Sequence, residues 1–202
     1  MNPRLIRQPS APARYLPGRT TPARRRLHVL HAWSVQRDAA GRVRWDEGRW
    51  TSNILHDEGE RYILSAAFDT DLAGYGAPPA NLYLGLSARD ALAEDDTLAM
   101  EDFNEVTGTG YARIPISTSS GFTLTQPGDY YQASTTELTF TNSADPEDGG
   151  QPWAPATERF LCTAASGTSG LLIASIALSV ERVLQPGDSL STTVVIGLAE
   201  GD

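Results

Sequence analysis

One stretch of the chain spells out a nucleophile: Gly187-Asp188-Ser189-Leu190 has the residue order of a serine-esterase nucleophile block. A serine hydroxyl becomes reactive only beside a base, usually a histidine oriented by an acid. The three histidines, His28, His31 and His56, all lie far upstream. Chain order alone does not exclude a triad, because a triad is defined by geometry. Gln185-Pro-Gly-Asp188 ahead of an alternating strand nevertheless has the composition of a β-turn. On that reading Ser189 is silent and the protein is not an enzyme.

Metal and phosphate chemistry fare no better. His28 and His31 are three apart, which on a strand puts them on opposite faces. His56 sits beside Asp57 on an expected helix, and all three are expected at a surface or an interface. Cys162 is the sole cysteine, so no disulfide forms within the chain and no cysteine metal cluster is possible. Asp69-Thr-Asp71 with Gly74 opens like a calcium loop, but Ala80 stands where a bidentate Glu is needed. Glu94-Asp95-Asp96, Glu101 and Asp102 make an acidic stretch expected in a solvated loop. Gly108-Thr-Gly110-Tyr-Ala-Arg113 lacks the Lys-Ser/Thr that completes a phosphate loop, and it feeds a strand rather than a helix. A tight turn is expected there. No cofactor and no metal are expected.

Charge is distributed unevenly. Residues 1–50 hold 11 Arg against Asp38, Asp46 and Glu47, whereas residues 51–202 hold 5 Arg against 22 acids. There is no Lys. A basic segment joined to an acidic body points to an interaction role, and arginine's planar fork suits fixed contacts with carboxylates and carbonyls. Nucleic acid is not the expected partner. The acidic body repels phosphate, and no helix-turn-helix, zinc-finger or base-stacking pattern is present. No apolar run reaches membrane-spanning length; the longest, Leu171–Val180, is broken by Ser175 and Ser179. The N-terminus carries no secretory signal pattern.

The elements that must position these residues read as follows. Residues 1–26 form an extended arm, with five prolines and seven arginines: Arg4, Arg7, Arg14, Arg19, Arg24, Arg25 and Arg26. Alone it is a solvated tail; against an acidic neighbour it is a binding arm. Residues 27–50 form a hairpin turning at Asp38–Gly41, with Leu27, Val29, Trp33 and Val35 on one strand face and Val43 and Trp45 returning. Trp33, Trp45 and Trp50 are expected to pack within it. Thr51 to Phe68 is the one helix, capped by Thr51, Ser52 or Asn53. Leu55, Tyr62, Ile63, Ala66 and Ala67 lie on its apolar face. From Asn81 the chain is short strands between turn clusters: Leu82/Leu84/Leu86, Tyr111–Ser117 with Pro115 at an edge or a bulge, Glu137–Thr141, Arg159–Thr163, Leu171–Glu181 and Leu190–Leu198. The expected fold is mainly β: an antiparallel, jelly-roll-like sandwich of roughly 6–8 strands with one packed helix, over residues 51–202.

From Thr51 on, the order of pieces resembles a group of tailed-bacteriophage structural proteins. The pieces are the Thr51–Leu64 helix, the Asn81–Ser87 strand, an acidic loop, the Glu105-Val-Thr-Gly-Thr-Gly-Tyr-Ala-Arg113 segment, and the closing turn from Leu184 to Leu190. The Glu105–Arg113 segment is its most specific part. The resemblance implies a non-enzymatic virion component, made in the host cytoplasm and assembled into the particle. It carries no catalytic residues over. The residues of the specific segment suit a structural role: Glu105 and Arg113 pair across the Gly108/Gly110 turn while Tyr111 anchors it. The arm suits a head decoration or cement protein on the major capsid protein shell, self-associating, with a trimer as one such assembly, and binding other virion proteins. The alternatives are a tail, baseplate or fibre component, and a carbohydrate-binding module using Tyr75, Tyr83, Tyr130, Tyr131 and Trp153.

Overall fold

A computed structural model describes residues 28–48, 51–52, 54–68, 79–89, 98–126 and 131–199. The arm over residues 1–26 with its seven arginines lies outside the described residues. So do the Asp69–Gly74 and Glu94–Asp96 stretches, Trp50, Tyr75 and Tyr130.

The strands are β1 (His28–Arg37), β2 (Val43–Asp46), β3 (Thr51–Ser52), β4 (Ile54–Leu55), β5 (Asn81–Ser87), β6 (Ile114–Ser117), β7 (Phe122–Thr125), β8 (Gln132–Thr135), β9 (Leu138–Thr141), β10 (Ala156–Cys162), β11 (Leu172–Arg182) and β12 (Ser189–Ala199). The helix α1 spans Asp57–Phe68. Two antiparallel sheets form. One has the order β2-β1-β12-β8-β7, with β3 added to β1 and β9 to β12; the other is β4-β11-β10-β5-β6. The main core lies between them, where Ala32, Phe140, Leu190 and Val194 meet Leu82, Leu84, Leu86, Leu161 and Ile176. Over the described residues the fold is thus the expected mainly β sandwich with one α-helix.

The middle of the five-stranded sheet is buried on both faces. Leu84 and Leu86 point inward, while Phe160, Cys162 and Leu172 face a second cluster built with Met100 and Phe103. That is why β10 and β11 read as continuous apolar runs instead of alternating ones. Gly85 is required by this layer, because a Cβ there would run into the Phe160 ring.

Three expectations are corrected. The helix starts at Asp57 and not at Thr51. Thr51–Ser52 pairs with His31–Ala32 in one sheet, and Ile54–Leu55 pairs with Ala174–Ser175 in the other. The chain crosses between the sheets here, and ladder hydrogen bonds to distant strands override local helix formation. His56, not Thr51 or Ser52, opens the helix, and Asn53 lies outside the described residues: the His56 carbonyl accepts from Glu60 N at 2.9 Å while its own N–H donates to Ile173 O at 3.1 Å. Ala66, placed on the apolar face above, is exposed.

The inward face of β1 is the second correction. Ala32, Ser34 and Gln36 are buried at 0%, 0% and 4% exposure, whereas Trp33 is 38% exposed. The period-2 pattern put Trp33 and Val35 on one face, where Val35 is buried; Ser34 and Gln36, on the other face, are buried in a polar network with Thr192 and Asp188. The hairpin itself forms, since β2 pairs with β1 and Asp38 Oδ1 accepts from Ala40 N and Arg42 N to shape the turn. Its other edge runs the length of β12, so β1 is an interior strand of the sheet. Trp33 donates to Asp46 Oδ1 at 2.7 Å, and Trp45 lies under the Arg182 guanidinium at 4.8 Å.

The third difference is strand number. β7 and β8 did not stand out in the sequence, because Thr, Ser, Gln and one Pro dominate residues 122–135. They join the larger sheet by pairing with each other and with β12.

Candidate functional site

The Glu105–Arg113 segment is laced onto β5 and β10. Ala88 N donates to Asn104 O at 2.6 Å and Val106 N to Leu86 O at 2.9 Å, with a bridge between Ser87 and Glu105. The chain then turns back through Gly108–Gly110, closed by Tyr111 N to Gly108 O at 3.1 Å. Gly110 has φ +79°, and a Cβ there would strike Ser143 Oγ. At Gly108 a Cβ would strike the Trp153 indole, whose Nε1 donates to Thr109 O at 2.9 Å. Gly110→Val should therefore cost about 1 kcal/mol or more from backbone strain alone. Thr109→Val, at an exposed side chain, should shift the melting temperature less. Equal shifts would show that the turn has no special backbone requirement.

The turn brings Glu105, Tyr111 and Arg113 together. Arg113 Nε donates to Glu105 Oε1 at 2.8 Å and its Nη2 to Glu105 Oε2 at 2.7 Å. Its remaining donors go to Ala164 O at 2.8 Å, Gly167 O at 2.7 Å and Cys162 Sγ at 3.5 Å. All five guanidinium N–H groups are thereby committed, and the ring of Phe160 lies 5.2 Å beneath. Burial alone would pull the guanidinium down, but the bonded Glu105 carboxylate more than offsets it and holds Arg113 above its usual value. The Tyr111 hydroxyl accepts from Leu86 N at 2.9 Å and donates to Glu105 Oε1 at 3.0 Å. Burial, reinforced by the adjacent carboxylate, pushes its pKa far above the ordinary phenol range. The Tyr111 ring stacks on Phe140 from the opposite sheet at 6.1 Å and meets Trp153 edge-on at 5.4 Å.

A shallow cleft of about 400 Å³ opens between this segment and Ala165–Ser166. Its polar groups are not poised for chemistry. The arginine has no donor left for an anion, the tyrosine is held protonated, and burial raises the nearby Cys162 thiol, which donates to Ala164 O at 3.3 Å. What the arrangement can do is hold: Arg113 joins Glu105, the end of β10 and the Ala164–Gly167 loop.

The other candidates disperse. Gln185–Asp188 is a turn, with Asp188 N donating to Gln185 O at 2.8 Å and Gly187 at φ +81°. The β1–β12 register sets His31 opposite Val195, six positions beyond Ser189 and so about 20 Å along the strand. His56 is fully buried, correcting the surface expectation, and its Nε2 lies 3.0 Å from Ser175 Oγ. Glu158 neighbours the same serine, and burial raises its carboxyl pKa against the opposing Arg89 charge. A hydrolytic triad needs histidine between serine and acid; here serine stands between the other two, in the interior. Among the described residues no group of three or more His, Cys, Asp or Glu is placed to hold a metal ion. Glu101 and Asp102 lie in a short 3-10 turn, where Asp102 Oδ2 accepts from Ala99 N at 2.9 Å. Trp153, offered above as a sugar platform, is 2% exposed; Tyr131 is 60% exposed. No described helix is long and apolar enough to cross a membrane.

The most consequential polar pair was missed in the sequence. Arg159 of β10 and Glu47, just after β2, are both completely buried and bonded at 2.9 and 3.2 Å across the sandwich. Arg159 also donates to Ser34 Oγ at 2.6 Å and Ala177 O at 3.0 Å. Desolvation lowers its pKa and the Glu47 charge opposes this. One signal was available. Arg159 directly precedes the apolar run Phe160-Leu161-Cys162 in β10, and a charge inside a strand buried on both faces must be paired.

The comparisons with known proteins bear on this scaffold. No curated protein matches the chain. The sequence pattern of a family described as "Podophage GP4 fiber I protein gp80" matches residues 60–196. The match takes in most of α1 and every strand from β5 to β11, together with the Glu105–Arg113 segment and most of β12; β1 to β4 precede it. A structural component of a bacteriophage virion, the chain belongs to the family of the podophage GP4 fiber I protein gp80.

Proposed function

We propose that the protein is a fibre component of a podophage tail, held in place by contacts with other virion proteins and without enzymatic activity. The family match over the sandwich carries this reading and favours the fibre alternative over head decoration. The interlocked Glu105–Tyr111–Arg113 cluster supports a mechanical role, since its donors and acceptors are spent inside the fold. In this reading the arm, through Arg4, Arg7, Arg14, Arg19, Arg24, Arg25 and Arg26, fastens the body to an acidic neighbour. Each charge-assisted hydrogen bond is worth about 1.5–3 kcal/mol if desolvated and far less if exposed.

Gold-labelled antibody against this chain should decorate the tail of intact virions, and label spread over the capsid shell would overturn the fibre reading. Particles assembled with a chain lacking residues 2–26 should carry less of it, or lose it as salt rises. Normal incorporation at high salt would show that the arm is not the fastening.

A further inference from the structure

We infer that the β7 edge of the larger sheet is a self-association surface, where β7 of a second copy adds antiparallel to continue the sheet. The ends of the two sheets differ in how they are guarded. β2 carries Arg44 and Asp46, β6 carries Pro115, β3 and β4 are only two residues long, and β9 follows Glu137 directly and turns its Phe140 into the core, leaving no large apolar side chain exposed. Charge, proline and shortness are the usual protections of a strand edge. β7, Phe-Thr-Leu-Thr, has none of them, and among the described residues only β8 pairs with it.

Its side chains continue the core into solvent. The register aligns Leu124 with Ala133 and Ala133 with Ile196, so these share one face with Phe122 and Val194. Phe122 and Ile196 pack on the core, yet Leu124 is 69% exposed, and Tyr131, of the same parity as Ala133, is 60% exposed.

Charge selects the occupant. The protein has a net charge of −9, so two copies repel unless they meet where charge is absent. Residues 114–136 contain a single charged residue, Asp129. An arginine-rich arm would find no carboxylates on β7 and gains nothing by docking there. A second β7 offers the matching apolar side chains and unpaired backbone groups, and antiparallel pairing of one strand with itself is a twofold contact. The inference does not depend on the fibre reading.

Sedimentation of the full chain in about 0.5 M NaCl, where charge contacts are screened beyond a few ångströms, tests it. A four-residue edge makes a small contact, so a monomer–dimer equilibrium in the range of about 10–500 μM is expected. Leu124→Glu and Leu124→Arg should each raise the apparent dissociation constant about tenfold or more. Val43→Glu, at an exposed position on the opposite edge, should leave it unchanged. Unaltered melting curves would confirm that the variants fold. A monomer at every concentration, association only with another virion protein, or equal behaviour of the Leu124 and Val43 variants would overturn the inference. Stronger association of Leu124→Arg would do so too, by showing contact with an acidic surface.

Discussion

Glu47→Ala should destabilise the protein by about 3–5 kcal/mol, the usual cost of stranding one member of a buried ion pair. The Arg159 guanidinium is 0% exposed and donates two hydrogen bonds to Glu47. Removing the carboxylate leaves a desolvated cation, and it also orphans Ser34 N and Ser179 N, which donate to Glu47 at 3.0 and 3.2 Å. For a chain of this size each kcal/mol lowers the melting temperature by roughly 2–4 °C, so a drop on the order of 10 °C is expected. Arg159→Met should be comparably damaging alone, because it strands the carboxylate. The double variant Glu47→Leu, Arg159→Met should be better than either single one, since an apolar pair of similar volume fills the space without a charge. Thermal melts of the four proteins decide this; a loss below about 1 kcal/mol for Glu47→Ala would mean that water reaches the pair.

Arg113→Met should cost about 3 kcal/mol, with its effect centred on the Glu105–Arg113 turn. The arginine is 2% exposed against 28% for Glu105, so part of the exposed carboxylate's share is screened by solvent. The buried share remains: Gly167 O loses its donor, Ala164 O keeps only the weak Cys162 thiol, and Phe160 loses its stacked cation. Arg113→Lys should recover less than half of the loss, because an ammonium cannot reproduce the bidentate fork while reaching two further carbonyls. Hydrogen exchange should show the Ala164–Gly167 loop and the turn opening before the rest of the sandwich. Full stability of the lysine variant would show that charge alone, and not the fork geometry, holds the segment.

Much of this protein is legible from its residues in order. The alternation of Leu82, Leu84 and Leu86, the proline at position 115 and the Gln185-Pro-Gly-Asp188 turn are local signals with local causes, and each lies in the structure where its chemistry requires. The class of fold follows from them, as does the pairing of Glu105 with Arg113 over a short glycine turn. The tertiary structure decided what local signals could not. Thr51–Leu55 has helix-compatible spacing but is claimed by two sheets at once. Ser34 turns inward although Trp33 beside it is more apolar, because Arg159, 125 positions away, is bonded to it in the same interior, and Gln36 is held inside by Val183 O and Asp188. His56 lands beside Ser175 across 119 positions of chain. A buried charge or polar group is stable only with its partner present, and partners so far apart in sequence are chosen by the packing of the two sheets and not by any periodicity.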